Sequence, residues 1–111
     1  MTMESEGRRV VHIGLPELTE EQIIEVGELA QKVVIKHVFD ALNRSDVKDI
    51  EVTTRINRGG ETLDLELEVY LEVPVFVKVD VEKLIDEAVE KAYATVEKKL
   101  REIANEGQDK A

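Results

Sequence analysis

Asp64, Glu66, Glu68 and Glu72 recur at even positions of one stretch, Thr62 to Val73, with Tyr70 filling the gap in the row. Paired carboxylates can hold hard cations or serve as acid and base. These are spread along one strand face, and no histidine or cysteine is spaced to converge with them. A solvated face that resists aggregation is therefore the favoured reading. Like charges in a row cost stability, which Thr53 and Arg55 on the neighbouring segment are expected to offset. His12 and His37 are the only histidines. Neither has a third ligand or an orienting acid at a suitable spacing, so both are read as structural. Gly59-Gly60 is followed by no lysine-serine or lysine-threonine pair and joins strand to strand, which excludes a phosphate loop. Arg8-Arg9 is a small basic spot expected to be solvated. Tyr70 and Tyr93 are placed to anchor an interface, a role in which aromatics are enriched. No catalytic residue, no bound metal and no cofactor are expected.

The elements that must position these residues follow from periodicity. Leu63, Leu65, Leu67, Val69, Leu71 and Val73 alternate with the acidic row, which makes one long strand with an apolar and an acidic face. Pro74 interrupts it, implying an edge position or a bulge, and Val75, Val77 and Val79 continue the alternation. Asp49 to Ile56 is a second strand with Ile50, Val52 and Ile56 on one face, joined to the first through the turn Asn57-Arg58-Gly59-Gly60. The β-branched run in Arg8 to Leu15 is an edge strand ended by Pro16. Thr19 and Gln22 form a capping box, and Leu18 and Ile23 stand at the staple positions. The helix they open is expected to run to about Asn43, with a turn at Arg44-Ser45-Asp46. Asp80 caps a second helix to about Ala104. Met1 to Gly7 and the polar tail from Asn105 are expected to be flexible. The predicted fold is a single α+β domain over 1–111, a three-stranded, mostly antiparallel sheet with two long helices on one face, in the order β-α-β-β-α.

A chain of 111 residues with 42% apolar content suffices for one modest core. The 25 Asp plus Glu against 15 Lys plus Arg give a net charge of −10, a field that repels phosphate backbones, so direct nucleic-acid binding is not expected. The charged fraction of 36%, rich in Glu and Lys, matches thermophilic surfaces. There is no cysteine, no signal-type opening and no apolar run long enough to span a bilayer; a cytoplasmic, non-membrane protein is the expectation.

On a helical wheel the first helix carries more apolar surface than one sheet face needs. Ile23, Val26, Ala30, Val33, Val34, Val38 and Ala41 form a stripe for the sheet. Ile24, Ile35, Phe39 and Leu42 form a second, adjacent stripe, and together they span ~240°, against the ~100° that covering one face requires. The second helix has a core stripe of Val81, Ile85, Ala88, Ala92 and Ile103, widened by Val89, Tyr93, Val96, Leu100 and Ala104. Contact between the helices uses some of this surplus. The alternative is that part of it binds a partner. On that reading Ile24, Ile35, Phe39, Leu42, Val89, Tyr93, Val96 and Leu100 make one partner-binding patch, with Phe39 and Tyr93 as anchors.

The stretches LTEEQIIEVGELAQKVV (Leu18 to Val34), IEVTTRINRGGETLDLELEVYLEV (Ile50 to Val73) and VDVEKLIDEAVEKAYATVEKKL (Val79 to Leu100) cover most of the chain. Together they resemble the Pcc-type small subunits of the KEOPS complex, and more closely an archaeal domain-of-unknown-function family viewed as a second Pcc-type paralogue. That resemblance implies a non-catalytic subunit of a complex that makes the threonylcarbamoyl modification of tRNA. It would form a homo- or heterodimer with a Pcc-type paralogue, dock helix on helix to the catalytic subunit, and control assembly. The longer helices, the Pro74 interruption and the acidity depart from ordinary Pcc subunits and argue against direct tRNA contact. The competing class is a prefoldin-like chaperone subunit with two helices around a hairpin, although neither helix keeps a strict heptad.

Overall fold

The computed structural model describes residues 4–60 and 62–109. The order is β1 (Glu4–Leu15), α1 (Glu20–Ala41), a 3₁₀ turn (Arg44–Asp46), β2 (Asp49–Gly59), β3 (Thr62–Pro74) and α2 (Val81–Asp109). The three strands form one antiparallel sheet, β1-β3-β2, with the acidic-apolar strand at its centre. Leu65, Leu67, Val69, Leu71 and Val73 are fully buried, and the even residues of β3 face outward. Alternation alone fixed this register, because a one-residue slip would expose the whole apolar set.

Both helices cover the apolar face. α1 lies over β2 and β3, α2 over β1 and β3, and the two run antiparallel, with His37 beside Glu87 and Glu25 beside Lys99. The core joins Val26, Ala30, Val34 and Val38 of α1 to Ile85, Ala88, Ala92 and Val96 of α2 over the β3 row. The Thr19–Gln22 capping box forms in both directions, and the Lys83 N–H donates to Asp80 Oδ1 at 3.1 Å, which caps α2.

Several expectations need correction. Residues Glu4–Gly7, assigned to a flexible tail, extend β1, with Glu4 opposite Pro74 and Gly7 opposite Leu71. Gly7 permits this. A Cβ there would meet Ile85 Cδ1 at 3.0 Å and Val81 Cγ1 at 3.1 Å, so any larger residue would push these side chains at the start of α2 back by a few tenths of an ångström. Pro74 marks neither an edge strand nor a bulge. It is the last residue of the central strand, and Val75 to Val79 form a turn, with the Val77 N–H donating to the Pro74 carbonyl at 2.9 Å. α1 ends through Leu42 in extended backbone rather than through a left-handed Asn43. β2 includes Asn57, Arg58 and Gly59, so the hairpin turns after Gly59, which pairs with Thr62. Gly60 supplies the positive φ of 61°. α2 continues from Ala104 through Asn105 to Asp109. Residues 1–3 and 110–111 of the expected tails lie outside the described residues.

Candidate protein-interaction surface

On the outer sheet face, side chains of the flanking strands engage the acidic row. Arg8 pairs with Glu68, and its guanidinium lies 4.9 Å from the Tyr70 ring centroid. His12 Nδ1 lies 2.9 Å from Asp64 Oδ2, and Asn57 donates to Asp64 and Glu66 at 3.4 Å each. Arg55 reaches Glu66 at 4.0 Å, the offset its position implied, and on the inner side Arg9 pairs with Asp86 of α2 at 2.8 Å. Two expectations therefore change. Arg8 and Arg9 are engaged rather than merely solvated, and His12 has an acid partner. Cross-strand register brings these together: Arg8 lies opposite Tyr70 and His12 opposite Glu66. Sequence spacing gives no hint of either pairing. Among the described residues no three His, Asp or Glu groups are arranged to hold a metal.

Tyr70 donates its hydroxyl to Glu6 at 2.7 Å, with Glu72 at 3.1 Å sharing the proton. The hydrogen bond to Glu6, then desolvation and Glu72, push its titration well above the ordinary 10.0. The fold thus favours the neutral phenol. The associated stability is complete below the ordinary tyrosine value and is lost as pH rises through the raised one. The thermal midpoint should decline more steeply above pH ~10 in the native chain than in Tyr70→Phe. Equal slopes would mean that Glu6 does not hold the phenol.

The proposed helical patch divides. Val96 is 0% and Val89 6% exposed, both in the core, so neither is available to a partner. Leu42 and Leu100 are half-buried and packed against that core. Phe39 is half-buried beneath the Arg44 guanidinium, 5.3 Å from its ring centroid, which removes it as a protruding anchor. Ile24 at 59%, Ile35 at 41% and Tyr93 at 41% remain exposed. These do not form one surface. Gln31, on the same side of α1 as Ile24 and Ile35, donates to the Val52 carbonyl at 3.3 Å, so that flank faces the β2 edge. Asp86, on the Tyr93 side of α2, reaches Arg9 of β1. Two packed helix axes lie ~10 Å apart, about the same as the ~10 Å between the outer axes of three strands, so each helix sits above an edge strand and its far flank projects past the sheet. The helical layer therefore overhangs both sheet edges, and its surplus apolar surface ends up on opposite sides.

Along the β2 side, Ile23, Ile24 and Ile56 line an open depression of about 420 Å³ with Glu20 and Arg58 at its rim. The first half of α1 is acidic, with Glu20, Glu21, Glu25 and Glu28, and the second half is mixed, with Lys32, Lys36, His37 and Asp40. Lys36 donates to Asp40 at 2.9 Å and lowers that carboxyl's titration. Val75 and Phe76, at the β3–α2 turn, are exposed, Phe76 to 74%. Reading the valine alternation through Pro74 hid them; a strand stopped at the proline reveals them. Leu84, buried in the core, was also missing from the predicted stripes.

This fold and surface define a small two-layer α+β module that leaves apolar side chains of both helices and of the β3–α2 turn exposed. The chain belongs to the family described as protein of unknown function (DUF3194), whose model matches residues 15–99. It is 96% identical to an uncharacterized protein of Thermococcus kodakarensis over 109 residues, 98% of this chain and 100% of that one. An uncharacterized protein of Pyrococcus furiosus is 64% identical over 104 residues, 94% and 93% of the two chains. A crystal structure from Thermococcus onnurineus NA1 superposes with TM-score 0.86 at 76% identity, covering 92% of this chain and 98% of that one. A hypothetical protein of Methanothermobacter thermautotrophicus, solved in solution, shares the fold at TM-score 0.54 and 24% identity, over 76% and 90% of the two chains. The archaeal family of unknown function is thus established. The link to KEOPS and to Pcc-type subunits is overturned, since neither the family nor the matched relatives connect the chain with that complex. Among the described residues, no helix is long and apolar enough to cross a membrane.

Proposed function

We propose that this chain is a non-catalytic interaction module that docks another protein chain on the outer flank of α1. The observation that carries this reading is the pair Ile24 and Ile35, exposed on one line of the helix beyond the β2 edge. Covering each such side chain favours association by roughly 1.5–3 kcal/mol before association costs. The polar groups elsewhere support the same reading: the outer-face carboxylates are taken up by Arg8, Arg55, His12, Asn57 and Tyr70, rather than converging on a reactive centre.

The test is affinity purification from the native host with the native chain and with Ile24→Asp/Ile35→Asp. Both positions are exposed, so the variant should keep its circular dichroism spectrum and thermal midpoint while losing stoichiometric protein partners. A folded variant that retains the same partners would move the docking face elsewhere. Ile35 with Phe39, the double replacement suggested by periodicity, is the poorer choice because Phe39 packs under Arg44.

A further inference from the structure

We infer that the free edge of β1 takes up an extended segment of another protein, with lysine or arginine at alternate positions, as a fourth strand of the sheet. This surface lies on the opposite side of the molecule from the α1 flank and does not depend on it. β1 and β2 are both outer strands, but their edges differ. Gly59 and Thr62 form the hydrogen-bonded pair at the end of the hairpin, and the ladder alternates from there. The even residues of β3 therefore bond β2, and the odd ones bond β1. That leaves the N–H and C=O groups of Glu6, Arg8, Val10 and His12 facing away from β3. On the β2 edge the equivalent Val52 carbonyl is guarded, since Gln31 of α1 donates to it at 3.3 Å. Among the described residues, no such guard meets the outward row of β1. β1 pairs residue for residue with β3 along its whole length, with neither a proline nor a bulge to blunt it. A regular row of main-chain donors and acceptors is matched by extended backbone, which makes the occupant a polypeptide strand.

Charge fixes the character of that strand. Glu82 and Asp86 of α2 line an open depression beside Arg8 and Arg9, and Glu82 also borders one of about 430 Å³ with Glu6, Gly7 and Tyr70. The two arginines are taken up by Glu68 and Asp86. Glu90 continues the line of Asp86 one helical turn on. Among the described residues, Glu82 and Glu90 have no ion-pair partner, and both are exposed. Cations on the α2-facing side of an added strand meet these carboxylates, while its intervening residues lie beside Val10, which is 45% exposed on the outer face. A second copy of this chain fits poorly, because it would bring the same acidic flank and a net charge of −10 against its like.

The test uses the isotope-labelled full chain and the peptide acetyl-Lys-Val-Lys-Val-Lys-Val-Lys-amide. After correction for intrinsic rates, the Arg8, Val10 and His12 amides of the free chain should exchange with solvent faster than those of Arg9 and Val11. The peptide should slow exchange at Arg8, Val10 and His12 by at least ~10-fold, and its counterpart with glutamate in place of lysine should not. Val10→Pro removes an outward donor and leaves the β3 ladder intact, so it should weaken peptide binding by about ten-fold or more. Glu82→Lys/Glu90→Lys changes exposed side chains only and should weaken it by about three- to ten-fold, which keeps the test decisive if the proline variant does not fold. Ile24→Asp/Ile35→Asp should bind the peptide as the native chain does.

Absence of binding, binding without protection of these amides, or binding undiminished in Glu82→Lys/Glu90→Lys or in a folded Val10→Pro overturns the inference. Protection of the same amides in the free chain that grows with protein concentration also overturns it, and places a second copy on the edge.

Discussion

Val96→Asp should leave the chain without a cooperative unfolding transition, whereas Ile35→Asp should unfold like the native protein. Both residues belong to surplus apolar stripes on the wheel, and the structure separates them. Val96 is 0% exposed, enclosed where α2 meets α1 and the sheet. A carboxylate there must stay charged without a partner or take up a proton, and either costs several kcal/mol on top of the lost apolar burial. The sum exceeds about 4 kcal/mol, a large share of the roughly 5–15 kcal/mol that holds a domain of this kind together. Ile35 projects into solvent, where such a change costs within about 0.5 kcal/mol. Thermal and urea unfolding followed by circular dichroism decide the matter. A normal midpoint for Val96→Asp would show that the α1–α2 seam is open.

Leu67→Ala should destabilise by about 2–4 kcal/mol. Leu67 occupies the middle of the central strand, opposite Val11 of β1 and Thr54 of β2, and is fully buried. Each flank is fixed by a paired strand and the face is closed by two helices, so the site cannot collapse on the cavity, and the cost should lie well above that of methyl removal alone. Urea unfolding supplies the measurement, with Glu66→Ala as its neighbour on the other face. Glu66 touches Arg55 and Asn57 in a part-exposed setting, so its loss should cost no more than about 1 kcal/mol. If Glu66→Ala costs more than Leu67→Ala, the assignment of the two faces of β3 is reversed.

Local rules sufficed where one element contained its own instructions. Alternation from Leu63 to Val73 determined which face of β3 is buried, and Thr19, Gln22 and Asp80 determined where the helices begin. Those contacts lie within a few residues, so the sequence lists both partners together. Ends were less legible, because β1 is lengthened by pairing with β3, far along the chain. Glu4–Gly7 becomes strand because β3 offers it a pairing edge, and no propensity in those residues requires it.

For the candidate surface the sequence alone determined that both helices carry more apolar area than one sheet face can hide, and that no metal- or phosphate-binding motif accompanies it. Tertiary structure decided which of those residues remain outside. Val89 and Val96 are drawn into the seam between the helices, and Leu42 and Leu100 lean on the core. Ile24 and Ile35 are stranded beyond the β2 edge, while Tyr93 lies on the opposite flank. A wheel records angles around one axis and carries no information on where the next helix lies. Each helix sits above an outer strand with its far flank past the sheet edge, and that placement, a property of the assembled layers, divides one predicted patch into two.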